Sequence, residues 1–400
     1  MKLLHIIAQK PNSTGSGVYM TELVKAFNHL GISQEVVAGI SMDDSTCFLS
    51  PASFSPVIYN SDELPYPVLG MSDEMPYPST RYNQLTPEMI DCFRQSFLSR
   101  ISPIINSFQP DFIFCHHLYL LTAIVREEYP KQKICGFCHG TDLRQFKKNP
   151  LLRTFIKSQI QKLDFIFALH QPQKEDICDL FSVSQDRVNV IGSGYNHRIF
   201  FPVSTTIQQQ NTIVYAGKLC EKKGVKSLLR SLSFLPQNLP NLELLLAGGS
   251  GVTHEMEAIY HIAKSSPIPV QFLGKLNHKE LAALLQKTTV FVLPSFFEGL
   301  PLVIMEALAC GAKVICNDLP GISQWVTEHI PNHGIQFVDL PPMLNLDEPD
   351  PLSLTAYEKH LGEAIAFALT SPKNEFPDMS AITWEGLASS LLKLINNKSL

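Results

Sequence analysis

Residues 291–311 read FVLPSFFEGLPLVIMEALACG, and the order of residue types in this stretch decides the fold. Val290 to Leu293 is a short apolar run that stops at Pro294-Ser295, as a buried strand does. A loop from Phe296 to Pro301 follows, and Leu302 then opens a run of helix formers that Gly311 closes. Glu298 falls at the strand-to-helix turn and Glu306 inside the helix. Open α/β sheets take their ligands at the carboxyl edge of the strands, and both carboxylates map to such an edge. Carboxylates there accept hydrogen bonds from paired hydroxyls, so a sugar or a ribose suits them. The plainer alternative is a solvated glutamate before a turn and a second on a helix face.

Four hundred residues suffice for two domains, each burying its own core. A hydrophobic share of 45% with 17% charged residues describes an ordinary soluble globular chain. The formal net charge of −5 argues against nucleic acid as the main partner. No apolar run reaches the length of a membrane span, and Met1-Lys2 leads straight into a strand pattern. A cytoplasmic location is therefore expected, with peripheral membrane contact left open. The nine cysteines follow no framework and read as reduced thiols. Cys135 and Cys138 have redox spacing, yet they end an apolar strand instead of opening a helix, so they read as buried bystanders. Asn12-Ser13-Thr14 matches a glycosylation acceptor that a cytoplasmic chain does not use.

Towards the N-terminus, strands and helices alternate. Lys2 to Ala8 reads as a buried strand, Gln9 to Gly17 as a loop, Val18 to Leu30 as a helix and Glu35 to Ala38 as the next strand. Strand, glycine-rich loop, helix and strand form a mononucleotide-binding pattern. Gly15 and Gly17 let backbone approach a phosphate, and free N–H groups at the helix start favour an anion; a plain helix-start turn is the alternative. Residues 41–86 break the alternation, and SDELPYP at 61–67 returns as SDEMPYP at 72–78. Tyr66 and Tyr77, held by prolines, read either as a platform for an acceptor or as part of a cover over one sheet edge. Further on, strand Ile134 to Cys138 delivers His139-Gly140-Thr141-Asp142 to its carboxyl edge. A histidine there can donate to a leaving phosphate or a sugar hydroxyl, or merely cap structure. His116, His117 and Arg144 are its neighbours by topology, and no acidic or cysteine partner gives them zinc spacing.

Ser204 to Asn211 reads as a domain linker. Strand Ile213 to Ala216 then delivers Gly217-Lys218-Leu219-Cys220-Glu221-Lys222-Lys223-Gly224, with a helix starting at Val225. Lys218 and Lys223 bracket a loop at a strand's carboxyl edge, where cations neutralise a diphosphate leaving group. Solvated loop lysines are the alternative. Leu242 to Leu246 ends in a close-approach loop, Ala247 to Gly251, and Val270 to Leu276 contains another at Leu273-Gly274. Residues 329–351 are proline-rich and irregular, Tyr357 to Leu369 is helical, and Met379 to Glu385 opens a terminal helix.

These stretches together resemble the retaining glycosyltransferases of family four. The resemblance is carried by Pro294-Ser295, Glu298-Gly299-Leu300-Pro301-Leu302, Glu306-Ala307 and Ala309-Cys310-Gly311. It extends to Gly217-Lys218-Leu219, Lys223-Gly224, His139-Gly140-Thr141-Asp142, Asp318-Leu319-Pro320-Gly321 and Thr383-Trp384. Thr14 to Val18 is similar to the N-terminal loop of the family, particularly that of N-acetylglucosaminyl-malate synthases of the bacillithiol pathway. Only the segments near 41–86 and 330–352 lack a counterpart. The resemblance implies an α/β chain of GT-B fold: two Rossmann-like, doubly wound domains facing a central cleft, with a C-terminal helix crossing back to the first. The expected domains are 1–200 with 379–400, accepting, and 211–378, holding the donor.

Site roles follow from the resemblance. Glu298 holds the transferred sugar and Glu306 the nucleotide ribose, while Lys218 and Lys223 grip the diphosphate. Lys218 stands where the family has arginine, keeping the charge but losing the bidentate fork. Gly15, Ser16, Gly17, Gly248, Leu273, Gly274, Gly299 and Leu300 complete the donor side, and His139 lines the sugar. The acceptor is assigned to Ser16, Tyr77, His116, Thr141 and Asp142. The expected activity is retaining transfer of a hexosyl group from a nucleotide-diphosphate sugar, expected to be UDP-linked, to an acceptor hydroxyl. No metal or other cofactor is expected. A nucleotide-sugar epimerase and a non-catalytic sugar-nucleotide-binding subunit are the rivals on this fold. A dinucleotide oxidoreductase is disfavoured, because GxGxxG is missing after the first strand and no acidic residue ends the second.

Overall fold

The computed structural model describes residues 1–11, 13–44, 53–72, 75–203, 211–236, 239, 241–249, 253–372 and 375–397. The linker assigned to Ser204 to Asn211, the Asn12 sequon, Ser250-Gly251 and part of the 41–86 segment fall wholly or mostly outside them. The chain divides into two compact units, Met1–Ser193 with Trp384–Leu400, and Gly194–Thr383. Residues 194–200 and 379–383, expected with the first domain, group with the second unit.

Unit 1 contains β1 (Lys2–Ile7), α1 (Gly15–His29), β2 (Ser33–Ser41), β3 (Ser53–Tyr59), the short β4 (Leu69–Gly70) and β5 (Thr80–Arg81), and α2 (Pro87–Ser107). It continues with β6 (Phe112–His116), α3 (Leu120–Glu128), β7 (Ile134–Phe137), α4 (Thr141–Lys148), α5 (Arg153–Ile160), β8 (Phe165–Ala168), α6 (Gln171–Phe181) and β9 (Val188–Val190). Seven parallel strands line up as β3-β2-β1-β6-β7-β8-β9. The chain order reverses between β1 and β6, the switch point where doubly wound sheets open a crevice. Strands this apolar, such as FIFCH at 112–116, are buried on both faces, as a parallel sheet covered by helices requires.

Two expectations change here. The glycine-rich segment is not all loop: α1 already begins at Gly15, because extended Thr14 caps it, accepting at Oγ1 from the Gly17 N–H (3.2 Å). The 41–86 segment supplies β3 as the sheet's edge strand, in register with β2 from Glu35↔Ser53 to Ser41↔Tyr59.

Unit 2 contains β10 (Thr212–Ala216), α7 (Val225–Ser231), β11 (Glu243–Ala247), α8 (Thr253–Lys264), β12 (Val270–Gly274), α9 (His278–Leu285), β13 (Val290–Leu293) and α10 (Leu302–Ala309). It ends with β14 (Lys313–Asn317), α11 (Ile322–His329), β15 (Gln336–Val338), the hairpin β16 (Met343–Asn345) and β17 (Glu348–Pro349), and α12 (Leu354–Thr370). Its sheet is also parallel, β12-β11-β10-β13-β14-β15, and reverses between β10 and β13. The irregular 330–352 stretch thus contributes an edge strand and a hairpin. Chain enters and leaves this unit side by side, the Tyr195 N–H donating to the Ile382 carbonyl (3.1 Å).

The terminal helix α13 (Trp384–Asn397) returns to unit 1 and packs on α1, where the Trp384 ring meets Tyr19 edge-on and Glu385 pairs with His29. It starts five residues later than Met379, after a 3-10 turn at Ser380–Ile382. Among the described residues, no helix is long and apolar enough to cross a membrane.

Candidate functional site

In unit 2 the loops after β10 and β13 flank the switch point, and each carries one charge of a close pair. Lys223 Nζ stands 2.7 Å from Glu298 Oε1 and also donates to the Phe297 carbonyl (3.0 Å). Backbone joins the same two loops: the Phe296 N–H donates to the Lys222 carbonyl (3.1 Å). Gly224 allows the contact, since at φ +68° a Cβ would lie 2.0 Å from the Pro294 carbonyl oxygen. Behind the acidic loop, Asn317 Nδ2 donates to the carbonyls of Pro294 (3.0 Å) and Ser295 (3.1 Å), and Tyr357 donates to Asn317 Oδ1 (2.9 Å). The Lys223–Glu298 pair is partly exposed, at 25% and 18% of the side chains, and so remains open to a ligand.

Glu306 lies on α10, whose other residues are nearly all apolar, and its side chain is buried. Its charge helps raise the Cys310 thiol to about 12, after burial. Lys218 anchors its loop through its carbonyl, which accepts from Tyr215 Oη (2.7 Å). The next two loops are stitched to it. The Leu219 N–H donates to the Gly249 carbonyl (3.1 Å), and the Gly248 N–H to the Gly274 carbonyl (2.7 Å). A Cβ at Gly248 would lie 1.8 Å from the Gly217 oxygen, so that close approach needs glycine. Leu273 and Gly274 are exposed, Gly299 is half-buried and Leu300 is buried.

In unit 1 four histidines gather at the carboxyl half of β1, β6 and β7. His139 stacks on His116, its Nε2 3.1 Å from His116 Nδ1, and His117 meets it edge-on. His116 in turn lies parallel to Phe137 and His5. Burial, reinforced by the three other histidines at His116 and by His117 at His139, holds both well below the ordinary imidazole range, so both are neutral at pH 7. A neutral His139 donates from only one nitrogen.

Three acceptor assignments need correction. His116 is buried beneath His139 and supports it instead of facing an acceptor. Asp142 is 0% exposed: its carboxylate accepts from the N–H groups of Leu118 (2.8 Å) and His139 (3.2 Å) and from the Cys138 thiol (3.4 Å). It clamps the β6 and β7 loops together. Tyr77 offers less than an open platform, because the Lys10 ammonium lies 5.0 Å over its ring while paired with Asp44 (2.7 Å). Thr141 opens α4 and is half-buried. Ser16 donates to Gln9 Oε1 (3.3 Å), Gly15 is exposed and Gly17 buried. The Cys135 and Cys138 thiols are free and buried, and burial raises both well above the ordinary thiol range, as bystanders require.

The partners of these groups were not visible in the sequence. Asp142 stands in the first turn of a helix, a place where an acid often caps; its tie to Leu118 had no local signal. Likewise nothing local links Lys222 to Asp347, which pair at 3.0 Å.

Comparison with known proteins adds the following. Residues 13–198 match the family model described as Glycosyltransferase Family 4, and residues 197–338 the model described as Glycosyl transferases group 1. An uncharacterized glycosyltransferase of Methanocaldococcus jannaschii is 25% identical over 49% of this chain and 51% of its own length. The α-maltose-1-phosphate synthase of Mycolicibacterium smegmatis is 22% identical over 54% and 56%. The chain thus spans about half the length of these curated relatives. Among solved structures, sucrose-phosphate synthase of Thermosynechococcus elongatus superposes with a TM-score of 0.68 at 16% identity, covering 99% of this chain and 98% of that one. HepE of Anabaena, solved with UDP and glucose, gives 0.63 at 14% identity over 98% and 95%. At such identities these likenesses establish the fold, GT-B with two Rossmann-like domains.

Proposed function

We propose, for a chain that belongs to the group 1 and family 4 glycosyltransferases, that it moves a hexosyl group from a UDP-linked sugar to an acceptor hydroxyl with retention. The observation that carries this reading is the Lys223–Glu298 pair, 2.7 Å apart, on the two loops that flank the unit 2 switch point. An acid that accepts from sugar hydroxyls stands there beside a cation that meets phosphate oxygens. The choice of UDP is supported by the HepE structures, solved with UDP and with UDP-glucose.

In this reading Glu298 orients the transferred ring and Glu306 accepts from the ribose hydroxyls. The Leu273-Gly274 backbone meets the base. The bond from the anomeric carbon to the diphosphate breaks with its electron pair passing to the phosphate oxygen, and Lys223 and Lys218 stabilise the charge that develops. The acceptor oxygen bonds to the anomeric carbon on the face the diphosphate leaves, and its proton passes to that phosphate oxygen. No side chain need act as base. In unit 1, neutral His139 donates one hydrogen bond to the sugar or the leaving phosphate, and the loops around it, with the 41–86 segment, choose the acceptor. The two lysines carry the positive charge that a divalent metal supplies in other transferases, so chelation with EDTA is expected to leave transfer unchanged.

The test is a thermal-shift screen of UDP- and GDP-sugars, followed by NMR of the anomeric configuration in the product. A UDP-sugar is expected to raise the melting temperature, and Glu306→Ala to abolish most of that rise. A protein that no nucleotide sugar stabilises, or a Glu306→Ala variant that binds undiminished, overturns the reading. Product formed from donor without any acceptor would instead support an epimerase.

A further inference from the structure

The hairpin of β16 and β17 is short and exposed, yet it holds one buried carboxylate. Leu344 and Leu346 are exposed, whereas the Asp347 side chain is only 5% exposed. Asn345 shapes the turn, its Oδ1 accepting from the Asp347 N–H (3.2 Å) and its Nδ2 donating to Glu348 (2.6 Å). A carboxylate taken out of water needs a cation or donors. Asp347 finds Lys222 Nζ at 3.0 Å, a residue 125 positions earlier.

Lys222 directly precedes Lys223, and both lie on the single 3-10 turn Glu221–Lys223. One turn has too few internal hydrogen bonds to fix its own rotation, and successive side chains on it point about 120° apart. The Glu221 N–H is tied to Glu255 Oε1 (3.3 Å), and three further tethers act at or beside Lys222. The Lys222 carbonyl accepts from Phe296 N–H, Gly224 packs under the Pro294 carbonyl, and the Lys222 side chain is held by Asp347. The first two tie the turn to the loop of Glu298. The third occupies the Lys222 ammonium elsewhere, leaving Glu298 to Lys223.

Resting on the reading of Lys223 as the group that meets the diphosphate, we propose that Asp347 is a positioning residue for Lys223, acting through Lys222. The hairpin, in the stretch that matches no familiar motif, therefore tunes grip on the donor's phosphates. It does so without touching the donor.

The test uses the full-length chain, with UDP as calorimetric probe. Lys223→Met is expected to weaken UDP binding about thirtyfold, the range for a lost charged hydrogen bond. Asp347→Asn should weaken it about fivefold, and Lys222→Met, which removes the ammonium from Asp347, should do the same. The double variant Lys223→Met/Asp347→Asn should bind as Lys223→Met alone, because residues acting through one another are not additive. A purely structural Asp347 would lower the melting temperature and keep its own factor in the Lys223→Met background. That result overturns the proposal, as does unchanged affinity in both Asp347→Asn and Lys222→Met. If Lys223→Met itself binds UDP normally, the reading of Lys223 fails, and the proposal with it.

Discussion

His5 sits in the middle of β1 with 0% exposure, edge-on to Phe114 and near Phe27. Burial carries its pKa down from 6.5 to about 3, against a weaker upward pull from Gln34. The sign of the resulting pH dependence follows. Below pH 6.5 the unfolded chain takes up a proton at His5 that the native chain refuses, so stability falls as pH falls. The loss begins near 6.5 and stops only near 3. At pH 5 it amounts to about 2 kcal/mol from His5 alone, the cost of a proton held 1.5 pH units below a reference of roughly 6.5. His116 and His117, also lowered by burial, add in the same direction. The perturbation is His5→Phe, which keeps the aromatic neighbours and removes the titration. Unit 1 can be read alone, because the chain has two tryptophans and a Trp325→Phe background leaves Trp384, packed on Tyr19. Urea unfolding by fluorescence at pH 7.5 and pH 5 is the assay. The unsubstituted protein should lose about 2 kcal/mol more between the two pH values than His5→Phe does. Equal losses would mean that His5 protonates freely in the native state, and the buried, neutral stack would have to be abandoned.

Other substitutions probe the remaining parts. Asp142→Asn replaces one acceptor oxygen by an NH2 donor that faces backbone donors and should destabilise unit 1 by about 2–4 kcal/mol in the same urea assay; a change below measurement error would refute the clamp. His116→Phe removes the 3.1 Å contact between His116 Nδ1 and His139 Nε2, in which one nitrogen donates and the other accepts, and so releases the His139 tautomer from it. Transfer should fall about threefold to tenfold at unchanged UDP affinity, and a change in affinity alone would contradict that role. Gly248→Ala forces a Cβ against the Gly217 oxygen and should cost unit 2 about 2 kcal/mol or more, followed by Trp325 fluorescence. Gly15→Ala meets nothing within 4 Å and should stay within about 0.5 kcal/mol.

The elements were legible because their signals are local. VFVL at 290–293 followed by Pro294 reads as a strand end whatever surrounds it, and Gly311, at φ +83°, ends α10 where the sequence marks a stop. Parallel strands buried on both faces are continuous apolar runs, so the strands of both sheets stood out as short apolar stretches bounded by turn residues. Local reading failed at Thr14 to Gly17. Glycines suggested loop, yet a threonine three residues before Gly17 is itself a helix-start signal, and the cap won. In the 41–86 segment prolines and a near repeat drew attention from FSPVIY, residues 54–59, whose pairing with β2 is a long-range fact.

The candidate site was legible only in part, and the dividing line is physical. Residues that meet a ligand sit on loops after strands, so Lys223, Glu298 and His139 could be placed at a carboxyl edge from element order. What each side chain does there depends on neighbours from other strands. His139 and Asp142 share one motif, but the fold leaves the first half-buried and shuts the second away between backbone donors. His116 reads in the sequence as a neighbour of His139 at the same sheet edge, whereas in the fold it ends β6 and is sealed by Phe137 and His5. Burial then sets the charge state: a cationic His139 would have to be desolvated beside His116 and His117, so the ring is held neutral.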